Sequence, residues 1–593
     1  MSTQLPRSEN ARLWKEGVSS NREDPTRSRS SWINERRPIG PFVPLKAPHL
    51  AMIALALFCI AQALSASTPF EKSEYAVVVH PENEVEELTL RELTSIFKAT
   101  KQSWSWKDRI YLILPKSSTP EFSFLLESVY EQTDVELARY WIELQYRNKI
   151  SARPKSLARG PLTINVVQRR AGALALVRVA DLPAKGVVKI LTIEGLKPGQ
   201  EGYALYSSLP EVEGEQAALP RSTREAISAS APRDGDRDER DQRLEALEEI
   251  VAELLVGDSP EEEDDDGSPS LSLRGFGHVQ FSLDEMGSRS NNRFALGGLD
   301  LLIQSQLSDH VSFLNETVFE PTDTGEYVLD VERVILKYDF GDYLNVQAGR
   351  FHTNIGYWNE VYHHGEWLQT AIGRPRIFDF EDENGLLPVH MTGLSLQGRI
   401  EGEDGSVEYK VEVGNGRGSM PDPPQNTVDV NDSKALNLAL AFSPEGAGGL
   451  QFGGSAYFDR IPKELGAHAD MREQIFAVFA TYIENSWELL GEFVHIAHQE
   501  NGGPKTETSG YYAQIARRCG KFTPFLRVGG VDIDDMNTFF ASTDDERRFI
   551  AGVRWEVGPW TALKLQYERI EEELAAGGDL NTDGAKLQLS FTF

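Results

Sequence analysis

The chain has 593 residues, with 60 Lys plus Arg against 91 Asp plus Glu and a net charge of −31. That length exceeds what one hydrophobic core serves, so several domains are expected, and the acidic balance excludes a general nucleic-acid binder, which needs a basic footprint. The negative mean hydropathy argues against a helical membrane protein but not against a β-barrel, whose strands alternate lipid-facing and lumen-facing residues.

The first stretch, 1–67, is expected to carry no folded structure. Its opening residues are polar and rich in Pro and Arg, and Leu50 to Leu64 reads LAMIALALFCIAQAL before Ser65-Ala66-Ser67. This is too short to span a bilayer and has the form of a secretory h-region with a cleavage site near Ala63 to Ser67. Arg36-Arg37 lacks a convincing twin-arginine context, and Phe58 before Cys59 makes a poor lipobox. With Cys59 in the leader, Cys519 stands alone and no intrachain disulfide is expected.

Residues 68–208 alternate strand and helix and predict a small α/β domain. Tyr75 to His80 is a β-branched run with the length of a buried strand; Leu88 to Phe97 has Thr89 as a cap and Leu93, Ile96 and Phe97 on one helical face. Ile110 to Leu114 is a second strand, and Lys116-Ser117-Ser118-Thr119-Pro120-Glu121 opens a helix with hydroxyls and an early proline. VVVHPENEVEELTLRELTSIFKATKQSWSW, this hydroxyl-rich helix start and Ala171-Gly172-Ala173 together resemble one lobe of the substrate-binding proteins of phosphate ABC transporters. The resemblance implies an anion held by hydroxyls and N–H groups at a helix N-terminus, here Ser117, Ser118 and Thr119. The alternative for these three residues is a plain helix cap.

Residues 209–240 have no apolar period and are expected to be a linker. Leu244, Leu247, Val251 and Leu254 follow at spacings of three, four and three, an a/d seam that predicts a short coiled-coil helix over 241–256. The acidic run Glu261 to Asp266 makes 257–270 a solvated spacer.

From Leu271 to Phe593 the chain alternates apolar and polar residues in runs of about ten, the signature of transmembrane β-strands. Sixteen strands are expected, near 272–283, 294–306, 310–319, 328–340, 343–351, 389–402, 405–414, 434–443, 449–459, 473–483, 486–498, 509–519, 522–532, 546–557, 560–570 and 584–593. Even-numbered strands end in tight turns such as Ser308-Asp309 and Gly341-Asp342, and odd-numbered ones in longer polar loops, the parity of short periplasmic turns and long outer loops. On the last strand Ala585, Leu587, Leu589, Phe591 and Phe593 share one side and Lys586, Gln588, Ser590 and Thr592 the other, so the first set is expected against lipid and the second in a wet lumen. The same parity puts Arg333, Lys337, Arg548, Arg554 and Lys564 inside with Lys586, a ladder of cations that either attracts anions or pairs with carboxylates to stiffen the wall.

The stretch Gly349 to His390 lies between two strands and exceeds any hairpin loop. Its Gly349-Arg350-Phe351-His352-Thr353, Gly356-Tyr357-Trp358-Asn359, Tyr362-His363-His364-Gly365, Trp367-Leu368-Gln369-Thr370 and Arg374-Pro375, with the strand count, resemble the porin superfamily, and within it the phosphate-selective porins of O and P type. Asn354 stands where proline is usual in the motif. The resemblance implies a homotrimer in the outer membrane of a Gram-negative bacterium, with the α/β domain in the periplasm, passing small hydrophilic solutes, phosphate among the anions. It further implies that this third external loop folds inward as a constriction. His352, Tyr357, Trp358, Glu360, His363, His364, Glu366, Arg374, Arg376, Asp379, Glu381 and Asp382 would then line it, with Arg374 and Arg376 facing the acids across the opening.

Adjacent His363 and His364 on an extended segment point opposite ways, so a metal site completed by Glu360, Glu366 or His352 is not expected. No Ser-His-Asp grouping announces a hydrolase, and neither an enzyme nor a cofactor is expected. The competing reading makes the barrel a membrane anchor and the α/β domain a binder of an anion or a periplasmic partner.

Overall fold

The computed structural model describes residues 73–207 and 270–593, apart from 106–107, 185, 287–288, 323–324, 381–383, 422–428, 430 and 576. The leader, linker 209–240, coiled-coil helix 241–256 and acidic spacer up to residue 269 lie outside the described residues.

The α/β domain is built on β1 (Ser73–Val79), β2 (Glu87–Leu88), β3 (Tyr111–Pro115), β4 (Lys155–Leu157), β5 (Ala173–Arg178), β6 (Lys189–Ile190), β7 (Thr192–Ile193) and β8 (Tyr206–Ser207). The main sheet has the order β4-β3-β5-β1-β6, with β3 parallel to β4 and β5 and β1 antiparallel to β5. Its helices are α1 (Leu90–Phe97), α2 (Pro120–Leu125), α3 (Asp134–Tyr146) and α4 (Gly160–Arg169). Thr89 with Glu92, and Thr133 with Glu136, form capping boxes at α1 and α3, each pairing two N–H groups that the helix itself cannot satisfy. Both sheet faces are covered, which is why β1 reads as an unbroken apolar run. Tyr75, Val77 and Val79 pack with Phe124 and Trp141 on one side, while Ala76 and Val78 meet Ile164 and Val167 on the other.

The second part is a closed antiparallel barrel of sixteen strands in sequence order, β9 to β24, with β24 paired to β9. They are β9 (Ser270–Met286), β10 (Arg289–Gln306), β11 (Val311–Pro321), β12 (Tyr327–Asp339), β13 (Asn345–His352), β14 (His390–Gly402), β15 (Gly405–Gly414), β16 (Ala435–Pro444), β17 (Leu450–Ile461), β18 (Met471–Glu484), β19 (Trp487–Glu500), β20 (Lys505–Arg517), β21 (Phe522–Ile533), β22 (Asp545–Gly558), β23 (Thr561–Glu573) and β24 (Asp579–Thr592). Closure joins Leu589 to Val279 and Thr592 to Phe276, and the backbone of Phe593 exchanges both bonds with Gly275.

Facing follows parity. Leu587 and Leu589 are exposed on the outside, with Trp555 and Leu565, whereas Gln588, Ser590, Arg554 and Lys564 are buried inside. Several strands run past their expected ends: β10 begins at Arg289 rather than near 294, β20 at Lys505 rather than 509, and β24 at Asp579 rather than 584. Alternation in sequence marks only the apolar band, while backbone pairing continues above it between polar residues. Consequently some long-side connections are shorter than expected, that between β19 and β20 spanning only 501–504.

One irregularity matters for the site. The ladder between β11 and β12 shifts register where Glu316 pairs with Arg333 and Thr317 with Val331, leaving Glu332 as an extra residue. Such a bulge lets two successive side chains turn the same way, and Glu332 and Arg333 are both buried in the lumen.

Candidate functional site

The loop 353–389 between β13 and β14 is folded inside the barrel. Its described residues include one short helix, α5 (Trp358–Val361), and a 3-10 turn at Arg376–Phe378. Trp358, Val361, Trp367, Leu368, Ile377, Phe378, Leu386 and Leu387 form one buried apolar cluster with the inward-facing Ile475, Val494, Ile496 and Tyr512. Much of the expected wet lumen is therefore a dry core. The loop is held there because its apolar side chains have nowhere else to be buried.

Its entry is fixed by a wall carboxylate. Glu492 on β19 accepts from the N–H of Tyr357 at 2.6 Å, of Trp358 at 2.8 Å and from the Tyr512 hydroxyl at 2.6 Å. Gly356 supplies the turn with φ +72°, and a Cβ there would collide with the same carboxylate. Glu492→Gln puts an amide donor among these donors and is expected to cost about 1–3 kcal/mol. Thermal unfolding followed by circular dichroism should show a clearly lower midpoint; an unchanged midpoint would mean that the carboxylate does not anchor the loop.

Each expected wall cation is found inside, and each is engaged. Arg554 binds Glu556 at 2.7 Å and donates to the carbonyls of Trp367 at 2.6 Å and Gln369 at 2.9 Å. Lys564 donates to Glu366 O at 2.7 Å. Arg548 pairs with Glu546 at 2.7 Å and Lys586 with Glu568 at 2.7 Å. Arg333 pairs with Glu316 and donates to Tyr146 O at 2.7 Å, while Lys337 donates to Asn148 O at 3.1 Å. The expected ladder of free cations is thus a set of clamps on loop carbonyls, wall carboxylates and the α/β domain.

Among the described residues, the arginines of the loop engage its own backbone and the wall rather than acids across an opening. Arg374 donates to the carbonyls of His363 and Phe378 and lies over the Phe380 ring at 3.9 Å. Arg376 pairs with Asp379, three residues on, at 3.5 Å and with Glu546 of the wall at 3.5 Å. Glu381 and Asp382 lie outside the described residues. Glu360 is held by Lys410 at 3.1 Å, Arg147 at 3.6 Å and Lys149 at 3.7 Å. Glu366 Oε2 accepts from Gln588 at 3.3 Å.

The α/β domain is seated in the short-turn end of the barrel. The C-terminal end of α3 and the turn after it enter the mouth: Gln304 donates to Gln145 O at 2.9 Å and to Ile150 O at 3.2 Å. Tyr146 packs edge-on against Phe276 at 5.6 Å, lies under Arg333 at 4.7 Å, and its hydroxyl accepts from the His364 N–H at 2.7 Å. Around the rim, Asp342 accepts from the N–H groups of Gln102 at 2.9 Å and Ser103 at 3.3 Å. Arg91 bridges Glu401 at 3.3 Å and Glu445 at 3.1 Å, and Arg518 meets Glu136 at 2.7 Å. A cavity of about 240 Å³ remains beside this seat, with Arg147, Lys149, Glu360, Arg399, Glu408 and Lys410 in its lining.

In the α/β domain Thr119 accepts from Phe122 N and donates to Lys116 O at 2.8 Å, which makes it the cap of the six-residue α2. Ser117 and Ser118 are exposed beside it. Sequence reasoning missed Glu492, Glu332, His390 and Tyr146. Glu492 and His390 sit on strands as ordinary inward residues, Glu332 is turned inward only by the bulge that breaks the alternation, and Tyr146 gives no local sign of its partners in the barrel.

No protein-family model and no curated protein matches the sequence. Among solved structures the chain is similar to the anion-selective porin from Comamonas acidovorans, at 13% identity and TM-score 0.41 over 55% of this chain and 100% of that one. It is also similar to the outer membrane channel DcaP of Acinetobacter baumannii, at 12% identity and TM-score 0.40 over 55% and 98%. A third likeness is to Salmonella typhi OmpF in complex with daunomycin, at 11% identity and TM-score 0.40 over 56% and 99%.

Proposed function

We propose that the chain is an outer-membrane porin for small hydrophilic solutes, narrowed from one end by its inward loop and from the other by its own α/β domain. The observation that carries this reading is the loop 353–389, caged inside a closed barrel by side chains of the wall, with a charged cavity left beside the seated domain. A closed barrel with an apolar exterior solves the membrane problem, because the backbone groups of its strands are paired within the sheet. The cavity mixes Arg147, Lys149, Arg399 and Lys410 with Glu360 and Glu408, which favours polar solutes of either sign over a dedicated phosphate path. The same reading places the α/β domain in the periplasm, on the side of the short turns, and makes the assembly a homotrimer, supported by the leucine seam of 241–256.

Liposome swelling tests the solute class. Folded full-length protein should admit small sugars and amino acids and exclude larger oligosaccharides. The absence of swelling with every solute would favour the second reading, a barrel that anchors an α/β binding domain for an anion or a periplasmic partner. The seating of that domain in the barrel mouth is the observation behind this alternative.

A further inference from the structure

Four side chains from four segments converge inside the barrel: Glu332 at the bulge of β12, His352 at the end of β13, His390 at the start of β14, and His363 from the inward loop. Their candidate ligand atoms lie within 4.8 Å of one another, and all four residues are buried. We propose that they form a binding site for one divalent first-row transition ion, with zinc the natural probe.

The hydrogen bonding leaves this set unexplained without a cation. Glu332 Oε2, His363 Nε2 and both ring nitrogens of His390 are buried with no hydrogen-bond partner, and His352 Nε2, which also has none, lies 3.4 Å from Glu316 Oε2. Buried polar atoms are costly when unpaired, and here they share one small volume. His363 Nε2 is 3.5 Å from Glu332 Oε2, and the nearer His390 Nε2 faces the same oxygen.

The tautomer of His363 is set by its outer neighbour. Asn359 uses its amide N–H groups on the carbonyls of Thr353 at 2.8 Å and Val389 at 3.0 Å, so its Oδ1 is oriented as an acceptor. His363 Nδ1 lies 2.8 Å from that oxygen and donates to it. Nε2 of the neutral ring then turns a lone pair toward the Glu332 carboxylate, which offers only lone pairs in return. A metal ion between them resolves this arrangement, and an oriented histidine whose second nitrogen is hydrogen-bonded is the usual support for a ligating imidazole.

Three imidazoles and one carboxylate suit zinc, copper, nickel or iron(II) better than calcium or magnesium, which prefer all-oxygen shells. A tetrahedral zinc with bonds of ~2.0–2.1 Å holds its ligand atoms ~3.4 Å apart, so modest side-chain rotations close the set. His352 and His390 are direct cross-strand partners, and Glu332 is turned inward by the bulge, so the wall supplies three ligands before the loop contributes the fourth. His364 Nε2 lies 3.3 Å from Glu332 Oε2 and acts on the carboxylate from outside the set. Metal binding would fasten the loop to three adjacent strands, whether or not the barrel conducts.

The test uses full-length protein folded in detergent, stripped with a chelator, supplied with zinc chloride and passed over a sizing column before elemental analysis. One zinc per chain is expected. His363→Ala and His390→Ala should each weaken binding at least about a hundredfold, and Asn359→Ala about 10–100-fold, while His80→Ala in the α/β domain should leave it unchanged. Zinc-edge X-ray absorption of the wild type, which needs no variant to fold, should show an imidazole-rich shell at ~2.0–2.1 Å. Wild type that retains no zinc, zinc held equally by both histidine variants, or a shell without imidazole would overturn the proposal.

Discussion

Tyr146→Ala is expected to release the α/β domain from the barrel mouth. The ring is fully buried in the same apolar cluster as Phe276 and the inward loop, although it belongs to a helix of the other domain. Its removal leaves a cavity, strips Arg333 of its ring contact and orphans the His364 N–H, at a cost of ~3–5 kcal/mol for an aromatic truncated in a core. The barrel keeps its sheet, so the loss falls on the seat. Limited proteolysis of the folded protein should cut the variant within the α/β domain at protease levels that leave wild type intact, while the barrel fragment resists in both. Equal resistance of the two proteins would mean that the seat does not depend on this side chain.

Arg554→Ala is expected to be the most damaging change on the wall. The guanidinium is 1% exposed, binds Glu556 through two nitrogens at 2.7 and 3.2 Å, and satisfies the carbonyls of Trp367 and Gln369. Without it a buried carboxylate loses its partner and two loop carbonyls lose their donor, which sets the cost at ~3–5 kcal/mol. Lysine cannot repeat the forked geometry, so Arg554→Lys should recover only part of the loss. Thermal unfolding of the barrel by circular dichroism is the readout. A midpoint for Arg554→Ala within a degree of wild type would contradict the clamp described here.

The barrel was legible in the sequence because lipid imposes a period of two on every strand, and Leu587, Leu589 and Trp555 obey it. The great length of 353–389 marked it as functional for a similar reason, since a hairpin has no use for such an excursion. Its packing was not legible. Trp358, Trp367 and Phe378 read as aromatic residues of a loop, and only the apolar inner faces of β18 to β20, met in three dimensions, make them core residues. Parity correctly turned Arg333, Lys337, Arg554 and Lys564 inward, but direction does not identify a partner, and the partners here are backbone carbonyls of distant segments. The bulge at Glu332 escapes period-two reading altogether, because it breaks the period that the reading assumes. Thr119 was legible as a cap, since its bond to Phe122 is local.

Planar-bilayer recording of the folded full-length chain tests the central claim most directly, with wild type compared to Arg147→Ala/Lys149→Ala. That double variant weakens the seat without baring a buried acid, because Glu360 keeps Lys410 and Glu408 keeps Arg399 at 2.9 Å. Discrete conducting steps are predicted for wild type, with larger or longer openings in the variant. Folded barrels that give no steps in either protein would contradict the account.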